Sequence, residues 1–458
     1  VDKLELLESK KRFLNEERRR FQGRRGLGDY IAYVSPTAQF PTHQRKIIAA
    51  LEKVRTGEIK RLRINIPPRH GKSFVGSQHF PGYYISTSPG RKMIHSSHTL
   101  SLVEDFGQDI RDLLASWENQ LLFPGVLLNQ NSKAKKRFRS TNGCEYYAAG
   151  TGGSIIGRGA HLWDIEDPND PDDCDNAEAL TKDWEWYKKH YPRLEPDAAI
   201  VLIQQRVSEN DLSGMIEKNP VPGEEWTNLV MPAIDEQGRA LWPERWPLEA
   251  LLRIRSVIGS HYFNAMFQQQ PDAVGGQIVK RTWFRYWKTL PQFTRMVISC
   301  DLAFKEGQNT SFVAMHVYGV VGNDYYLVDR VHERMNYPDT RRAFQRLCVR
   351  WPQARTKIIE DKANGPALEA DLRKTISGIV LIPKNKDKVE CLHAATPPLE
   401  SGHVYVPDPI VYPWAQQVID EMVSFPKGKN DDDVDTYSQF IAYVEPVALD
   451  YLKALGRM

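Results

Sequence analysis

What this chain lacks narrows it first. Its five cysteines, Cys144, Cys174, Cys300, Cys348 and Cys391, are odd in number and include no C-x-x-C pair. Neither a disulfide framework nor a zinc site is expected, and a reducing compartment is. No segment reaches the roughly 18 uninterrupted apolar residues of a membrane span, so no membrane partner is expected. The sequence is charged from Asp2 onward and shows no signal-peptide core there, which points to a cytoplasmic protein. Charge of one sign is not in excess either: 61 basic residues face 58 acidic ones, a net +3. Whole-chain charge therefore leaves no nucleic-acid footprint, and local basic runs must carry that argument. Internal repeats and low-complexity tracts are absent.

What is present is ordinary in bulk and specific in detail. With 458 residues, 41% apolar and 26% charged, the chain can bury large cores and is long enough for two or three domains. Residues 3–22 pattern as a charged helix, with Leu4, Leu7 and Leu14 near one face amid Lys10, Lys11, Arg12, Arg18, Arg19 and Arg20. A solvated helix and a contact with DNA or a partner are both open there. A second helical pattern at 44–58 leads into a strand at 62–66. Residues 91–160 alternate short apolar and helical runs, as an α/β sheet requires. The run Lys133, Ala134, Lys135, Lys136, Arg137, Phe138, Arg139 is the densest basic stretch. It suits a solvated hairpin or a phosphate backbone. Residues 199–206 read as a buried strand with a polar tip.

Residues 219–290 change character, being rich in proline and tryptophan and holding Gly275 and Gly276. They read as a connection. The pattern restarts with strand-like runs at 296–300, 311–321 and 325–331, the last two joined by the turn Gly322, Asn323, Asp324. A helix at 339–350, a strand at 357–360, a helix at 364–376, a strand at 379–383 and a helix at 413–424 follow. Three meandering strands followed by alternating helix and strand is the order of an RNase H-like fold. The expected division is a charged helix at 1–30, an α/β domain at 31–220, a connection at 221–290 and an RNase H-like domain at 291–458, all in the α/β class.

Two sites carry the chemistry. The first is Ile66, Pro67, Pro68, Arg69, His70, Gly71, Lys72, Ser73, a strand–loop–helix transition ending in Gly-Lys-Ser. Such a loop wraps phosphates with backbone N–H groups and a helix N-terminus. Lys72 is placed to reach the β/γ-phosphates and Ser73 to hold Mg²⁺. Pro67, Pro68, Arg69 and His70 would stiffen the loop and add Arg69 near the phosphates. The first glycine of the usual motif is replaced by Ile66. A P-loop needs acidic partners on a neighbouring strand, and Glu166 and Asp167, after His161, Leu162, Trp163, Asp164 and Ile165, are the candidates. Arg158, between Gly157 and Gly159, would sit on a flexible loop before them.

The second site is acidic. Two-metal phosphodiester hydrolysis needs about three or four carboxylates around cations roughly 3.5–4 Å apart. Asp301 ends an apolar strand, where a carboxylate is expensive unless it is paired or binds metal. Glu360 ends another strand after Lys357, Ile358 and Ile359. Asp431, Asp432 and Asp435 lie before an expected helix at 436–444, and their spacing of three or four places a pair on one face.

Taken together, these residues resemble the large terminase subunit of tailed double-stranded DNA bacteriophages, from about residue 28 to about 445. The matching landmarks are Pro41, Thr42, His43 and Gln44 on the adenine side, the Walker A run Pro67 to Ser73, and Gly157, Arg158 and Gly159 before the Walker B strand. Gln205, Arg206, Asp211 and Leu212 match the coupling segment, and Phe267 to Pro271 with Gly275 and Gly276 the interdomain region. Asp301, the run Glu360 to Gly365, and Asp431, Asp432, Asp433 and Asp435 match the nuclease. The resemblance implies a DNA-packaging motor using ATP and Mg²⁺, with Mn²⁺ able to substitute at the nuclease, built from a P-loop ATPase domain of the ASCE type at 31–220 and an RNase H-like nuclease domain at 291–458. Its implied partners are double-stranded DNA, the portal protein of the procapsid and a small terminase subunit. The chain would form a homo-pentamer on the portal and be a monomer in solution, in the cytoplasm of a bacterial host and transiently at the portal vertex. It assigns phosphate binding to Arg69, His70, Gly71, Lys72 and Ser73. Mg²⁺ or water falls to Glu166 or Asp167, and Arg158 becomes an arginine finger offered to a neighbour. The chain departs from the family at Asp164 within the Walker B strand, at Gln205, Arg206, Val207 and Ser208, and at Asn430 in place of histidine. A helicase or repair motor with a degenerate nuclease is the competing enzyme reading, and a non-enzymatic DNA-binding protein is a third.

Overall fold

The computed structural model describes residues 3–153, 155, 159–272, 276–302, 311–361, 370–372, 375–383, 387–428 and 430–445. Two compact units emerge. One comprises Val1–Leu251 with Tyr262–Asp272, the other Leu252–His261 with Ala273–Met458.

The first unit is built on an eight-stranded sheet. Its strands are β1 (Arg61–Asn65), β2 (Lys92–Ser97), β3 (Leu128–Ala134), β4 (Arg137–Ser140), β5 (Glu145–Gly150), β6 (Ala160–Glu166), β7 (Leu194–Gln204) and β8 (Thr227–Val230). They lie in the order β3-β4-β5-β2-β6-β7-β1-β8. From β5 to β8 every pairing is parallel, and β3 and β4 add an antiparallel hairpin at one edge. The basic run therefore forms a hairpin, with Phe138 turned into the core. Parallel strands are covered on both faces, and the alternation shows how. Leu162, Val201 and Ile203 point to a core shared with Tyr30, Ile47, Tyr83 and Val103. Their neighbours Trp163, Ile165, Ile200 and Leu202 point to the opposite core, with Trp186 and Tyr187. Only β7 separates β1 from β6, so the loop after β1 and the acids ending β6 emerge on one edge of the sheet.

Some elements differ in extent from the sequence expectation. The helix expected at 44–58 spans Thr42–Arg55, and the strand expected at 199–206 spans Leu194–Gln204. The helix after the P-loop is wider than expected: Phe74–His79 is a π-helical stretch that passes into an α-helix, Phe80–Thr87. Pro81 has no N–H to return to the preceding turn. The His79 ring meanwhile bonds the Phe74 carbonyl at 2.7 Å.

The second unit is built on a seven-stranded sheet: β9 (Arg285–Trp287), β10 (Arg295–Asp301), β11 (Ser311–Val321), β12 (Asp324–Met335), β13 (Thr356–Glu360), β14 (Ile379–Ile382) and β15 (Val404–Pro407). The order is β14-β13-β10-β11-β12-β15-β9. β10, β11 and β12 form an antiparallel meander, while β13 and β14 run parallel to β10. This is the RNase H-like order, extended at one edge by β15 and β9. The helix Tyr337–Arg350 packs against the face bearing Ile298, Cys300, Met315 and Val317. The helices Lys388–Glu400, Trp414–Ser424 and Asp432–Val444 cover the face bearing Val297, Tyr318 and Ile358.

The helix Lys388–Glu400, which holds Pro397 and Pro398, was not among the expected elements. The missing N–H of Pro397 orphans the His393 carbonyl, and Thr396 Oγ1 satisfies it at 2.8 Å. The last helix begins four residues earlier than the expected 436, so Asp432 and Asp435 lie in its first turn. The helix expected at 364–376 falls largely outside the described residues. The five cysteines form no disulfide. No helix among the described residues is long and apolar enough to cross a membrane.

Candidate nucleotide and nuclease sites

The loop after β1 is held from several sides. Gly71 has φ 80°, and a Cβ there would lie 2.1 Å from Gln44 Nε2, so only glycine fits. Arg69 has φ 60°, and its carbonyl accepts a bond from Trp246 Nε1 at 3.3 Å. His70 is fully buried, with Nδ1 donating to the Pro68 carbonyl at 2.8 Å. Burial lowers its imidazole to about 4, so it is neutral. The His70 side chain thus props the loop from inside, and its carbonyl receives His43 Nε2 at 3.0 Å. Gln44 lies against the same carbonyl at 3.5 Å, and its Oε1 is buried without a partner.

Two carboxylates from the end of β6 face the loop. Ser73 Oγ donates to Glu166 Oε1, and Lys72 Nζ lies 2.6 Å from Asp167 Oδ2. Glu166 is buried, and its Oε2 has no hydrogen-bond partner. Burial, then the Asp167 charge, raises its carboxyl to about 8, against the pull of Lys72 and Ser73. Asp167 adopts the unusual φ of 37°. Its Oδ1 accepts the Gln205 N–H at 2.9 Å and its carbonyl the His98 N–H at 3.1 Å. The chain then passes to Arg206, whose Nε meets both Asp211 oxygens at 3.0 and 2.9 Å. Asp164, two residues before Glu166, is fully buried, and burial followed by the Glu166 charge holds it well above the carboxylate range. It belongs to the interior of the sheet. A hydroxyl, an ammonium and two carboxylates, one with an unpartnered buried oxygen, fit a magnesium nucleotide. Arg158 lies outside the described residues.

The acidic site of the second unit follows from strand register. Cys300 pairs with Ile359 across the parallel β10 and β13. The next step places Asp301 beside Glu360, on strands about 4.8 Å apart. Both point to the face covered by the helix Asp432–Val444, because Val297 and Ile358 do. That helix is pinned there: Ser299 Oγ donates to the Thr436 carbonyl at 2.8 Å, and Gln439 Nε2 to the Ile358 carbonyl at 3.1 Å. Asp431 and Asp435 converge on one ammonium, with Lys388 Nζ at 2.8 and 2.7 Å. These bonds raise the Lys388 ammonium above its ordinary value although burial works against them. A lysine charge seated between two carboxylates shows that the donor set suits a cation. Asp432 turns elsewhere, its Oδ2 lying 3.3 Å from His332 Nε2.

Sequence reasoning missed the neighbouring network. Asp433 is fully buried and receives His316 Nε2 at 2.8 Å and Arg330 through Nε at 2.9 Å and NH2 at 2.6 Å. Burial pushes its carboxyl up, but His316 and Arg330 outweigh burial and hold it well below the usual range. Its N–H donates to Glu421 Oε1 at 2.6 Å. Burial and the Asp433 charge raise Glu421 to about 7. The available signal was His316 in the largely apolar run of β11 and the period-two polar residues Arg330, His332 and Arg334 on β12.

Residues 298–443 match the family model of the terminase RNaseH-like domain. Among solved structures, the large terminase of a thermophilic bacteriophage in complex with ATP-gamma-S is 13% identical, with a TM-score of 0.51. That match covers 88% of this chain and 99% of the other. A second crystal form of the same phage protein gives a TM-score of 0.53 at 13% identity, covering 89% of this chain and 99% of the other. No curated protein sequence matches the chain closely enough to count as a relative.

Proposed function

We infer that this chain, a large terminase subunit by the family of its nuclease domain and by its fold, hydrolyses ATP to drive double-stranded DNA into a procapsid and cuts concatemeric DNA with a metal-dependent endonuclease. One observation carries the reading. A P-loop facing two strand-end acids and a carboxylate cluster on adjacent strand ends occupy separate units of one chain. The terminase match of the nuclease region leaves a helicase-type motor without support.

In the first site Lys72 compensates charge on the β/γ-phosphates, and Ser73 with Glu166 would hold Mg²⁺. Asp167 orients or deprotonates the attacking water, and Arg69 and Gln44 border the nucleotide. Magnesium held there would supply charge neutralisation at the phosphates. When Lys72 turns to phosphate, Asp167 loses its ion-pair partner but still holds the Gln205 N–H. The nucleotide state is thereby linked to Arg206 and Asp211. Arg158 acts in trans on a neighbouring subunit's ATP.

In the second site Asp301, Glu360 and Asp432, with Asp431 and Asp435, would hold the two cations. Cations held there would supply Lewis-acid activation of a water and charge stabilisation at the leaving oxygen. The contacts are to phosphates, so cutting has little sequence preference and weakens with salt. The subunits assemble as a homo-pentamer on the portal, with a small terminase subunit delivering DNA, in the host cytoplasm. The test combines DNA-stimulated ATP turnover, plasmid cutting with Mg²⁺ or Mn²⁺ and with EDTA, and electron microscopy with portal-bearing procapsids. Stimulated turnover, EDTA-sensitive cutting and rings on portals are expected. ATP turnover without any metal-dependent cutting would reduce the protein to a plain motor.

A further inference from the structure

The carboxylates read as metal ligands are not all fixed by the same means. Asp431 and Asp435 share Lys388, whereas Asp432 depends on one histidine of a neighbouring strand. The sheet register shows why that histidine is there. Asp301 pairs with Ala314, and Ala314 with His332, so the three form one row across β10, β11 and β12. Residues in a cross-strand row point to the same face. The small Ala314 stands between Asp301 and His332 in this row. In the row below, Ser299, His316 and Arg330 line up in the same way.

The hydrogen bonds fix the state of the His332 ring. Arg330 NH2 lies 2.5 Å from His332 Nδ1. A guanidinium can only donate, so Nδ1 is the bare, accepting nitrogen. The ring proton is then on Nε2, which faces Asp432 Oδ2 at 3.3 Å. Arg330 is itself clamped: its fork is on Asp433, and NH1 donates to Gln417 Oε1 at 2.9 Å. His316 Nε2 shares Asp433 Oδ1 with Arg330 Nε, and the Asp433 N–H donates to the Glu421 carboxylate. An orienting chain thus runs from buried Asp433 through Arg330 and His332 to Asp432.

We propose that His332 is a positioning residue of the nuclease: it donates from Nε2 to one Asp432 oxygen and so presents the other to the cations. This rests on the reading of Asp432 as a ligand. Groups that orient metal ligands in this way are worth about 10- to 100-fold in metal affinity. His332, Glu421 and Asp433 also offer ligand atoms within 4.8 Å of one another. The Arg330 guanidinium is seated on two of these three side chains, so the cluster is an ion-paired network and not a cation site of its own.

The test is Mn²⁺ binding to the full chain without nucleotide, read from the electron paramagnetic resonance signal of free Mn²⁺. His332→Leu and His332→Met, two apolar variants so that one misfolded chain does not end the test, should bind Mn²⁺ about 10- to 100-fold more weakly. His332→Gln should recover most of the loss, since its amide can accept from Arg330 and donate to Asp432. Asp432→Asn tests the premise separately. If Asp432→Asn weakens binding and both apolar variants bind as the wild type does, the positioning role is wrong. If Asp432→Asn is also without effect, Asp432 is not a ligand and the proposal falls with that reading. If His332→Gln loses a whole equivalent of Mn²⁺, His332 is itself a ligand, which equally overturns the positioning role.

Discussion

Replacing Glu166 by glutamine should stabilise the nucleotide-free chain in mild alkali and leave it nearly unchanged in acid. Glutamine keeps the shape and still accepts the Ser73 hydroxyl, but it cannot ionise. Burial and Asp167 raise the native Glu166 carboxyl to about 8, against an ordinary 4.5. Below pH 4.5 folded and unfolded chains are both protonated there, and nothing is lost. Between 4.5 and 8 the unfolded chain releases the proton first, so stability falls as pH rises. Above 8 both states are ionised and the loss is complete. At about 1.4 kcal/mol per pH unit the window amounts to on the order of 3–5 kcal/mol. For a unit of this size that is roughly 5–10 °C in melting temperature. Thermal melts of wild type and Glu166→Gln at pH 5 and pH 8.5, without nucleotide or metal, check this. The two should nearly coincide at pH 5 and separate at pH 8.5, with the variant higher. An equal difference at both values would refute the claim that Glu166 is a buried, proton-holding carboxyl.

Arg158→Ala should lower ATP turnover in assembled rings, where a finger acting in trans is worth about 10³–10⁵ in rate. Mixing it with Lys72→Ala subunits should recover part of the turnover, and no recovery in intact rings argues against action in trans. Arg330→Ala leaves Asp433 buried without its fork, so the chain should lose about 3–5 kcal/mol of stability in denaturant unfolding. A loss under about 1 kcal/mol would mean that Asp433 is not ionised inside. Lys388→Met removes the ammonium that competes for Asp431 and Asp435, so Mn²⁺ affinity should rise several-fold. Unchanged affinity would place the cations away from those two carboxylates.

Much of the fold was legible because its strands are strongly patterned. The run 311–321 coincides with β11, since a long apolar segment ending at a Gly-Asn-Asp turn has few alternatives. Met296 to Cys300 and Ile358 to Ile359 announced β10 and β13 for the same reason. Short edge strands were not legible. Arg285–Trp287 and Val404–Pro407 carry little pattern of their own and are strands because β12 pairs with β15 and β15 with β9. In the sites, residues that end strands were legible, because an acid after an apolar run has a limited set of explanations. The supporting residues were not. Arg330, His332 and Lys388 look like surface charges until register and helix placement bring them to Asp433, Asp432, Asp431 and Asp435. Asp433 was hidden within a run of acids, where only burial separates an ion-paired anchor from a ligand.

The central claim is that one chain carries an ATP motor and a nuclease with separate metal sites. Its most direct test is a paired measurement of ATP hydrolysis and plasmid cutting on wild type, Lys72→Ala and Asp301→Ala, in the presence of Mg²⁺. Lys72→Ala should lose ATP turnover, because the cation that meets the β/γ-phosphates is gone, and should still cut. Asp301→Ala should lose cutting, because the strand-end carboxylate beside Glu360 is gone, and should still turn over ATP. Undiminished cutting by Asp301→Ala, or near-wild-type ATP turnover by Lys72→Ala, would contradict the account.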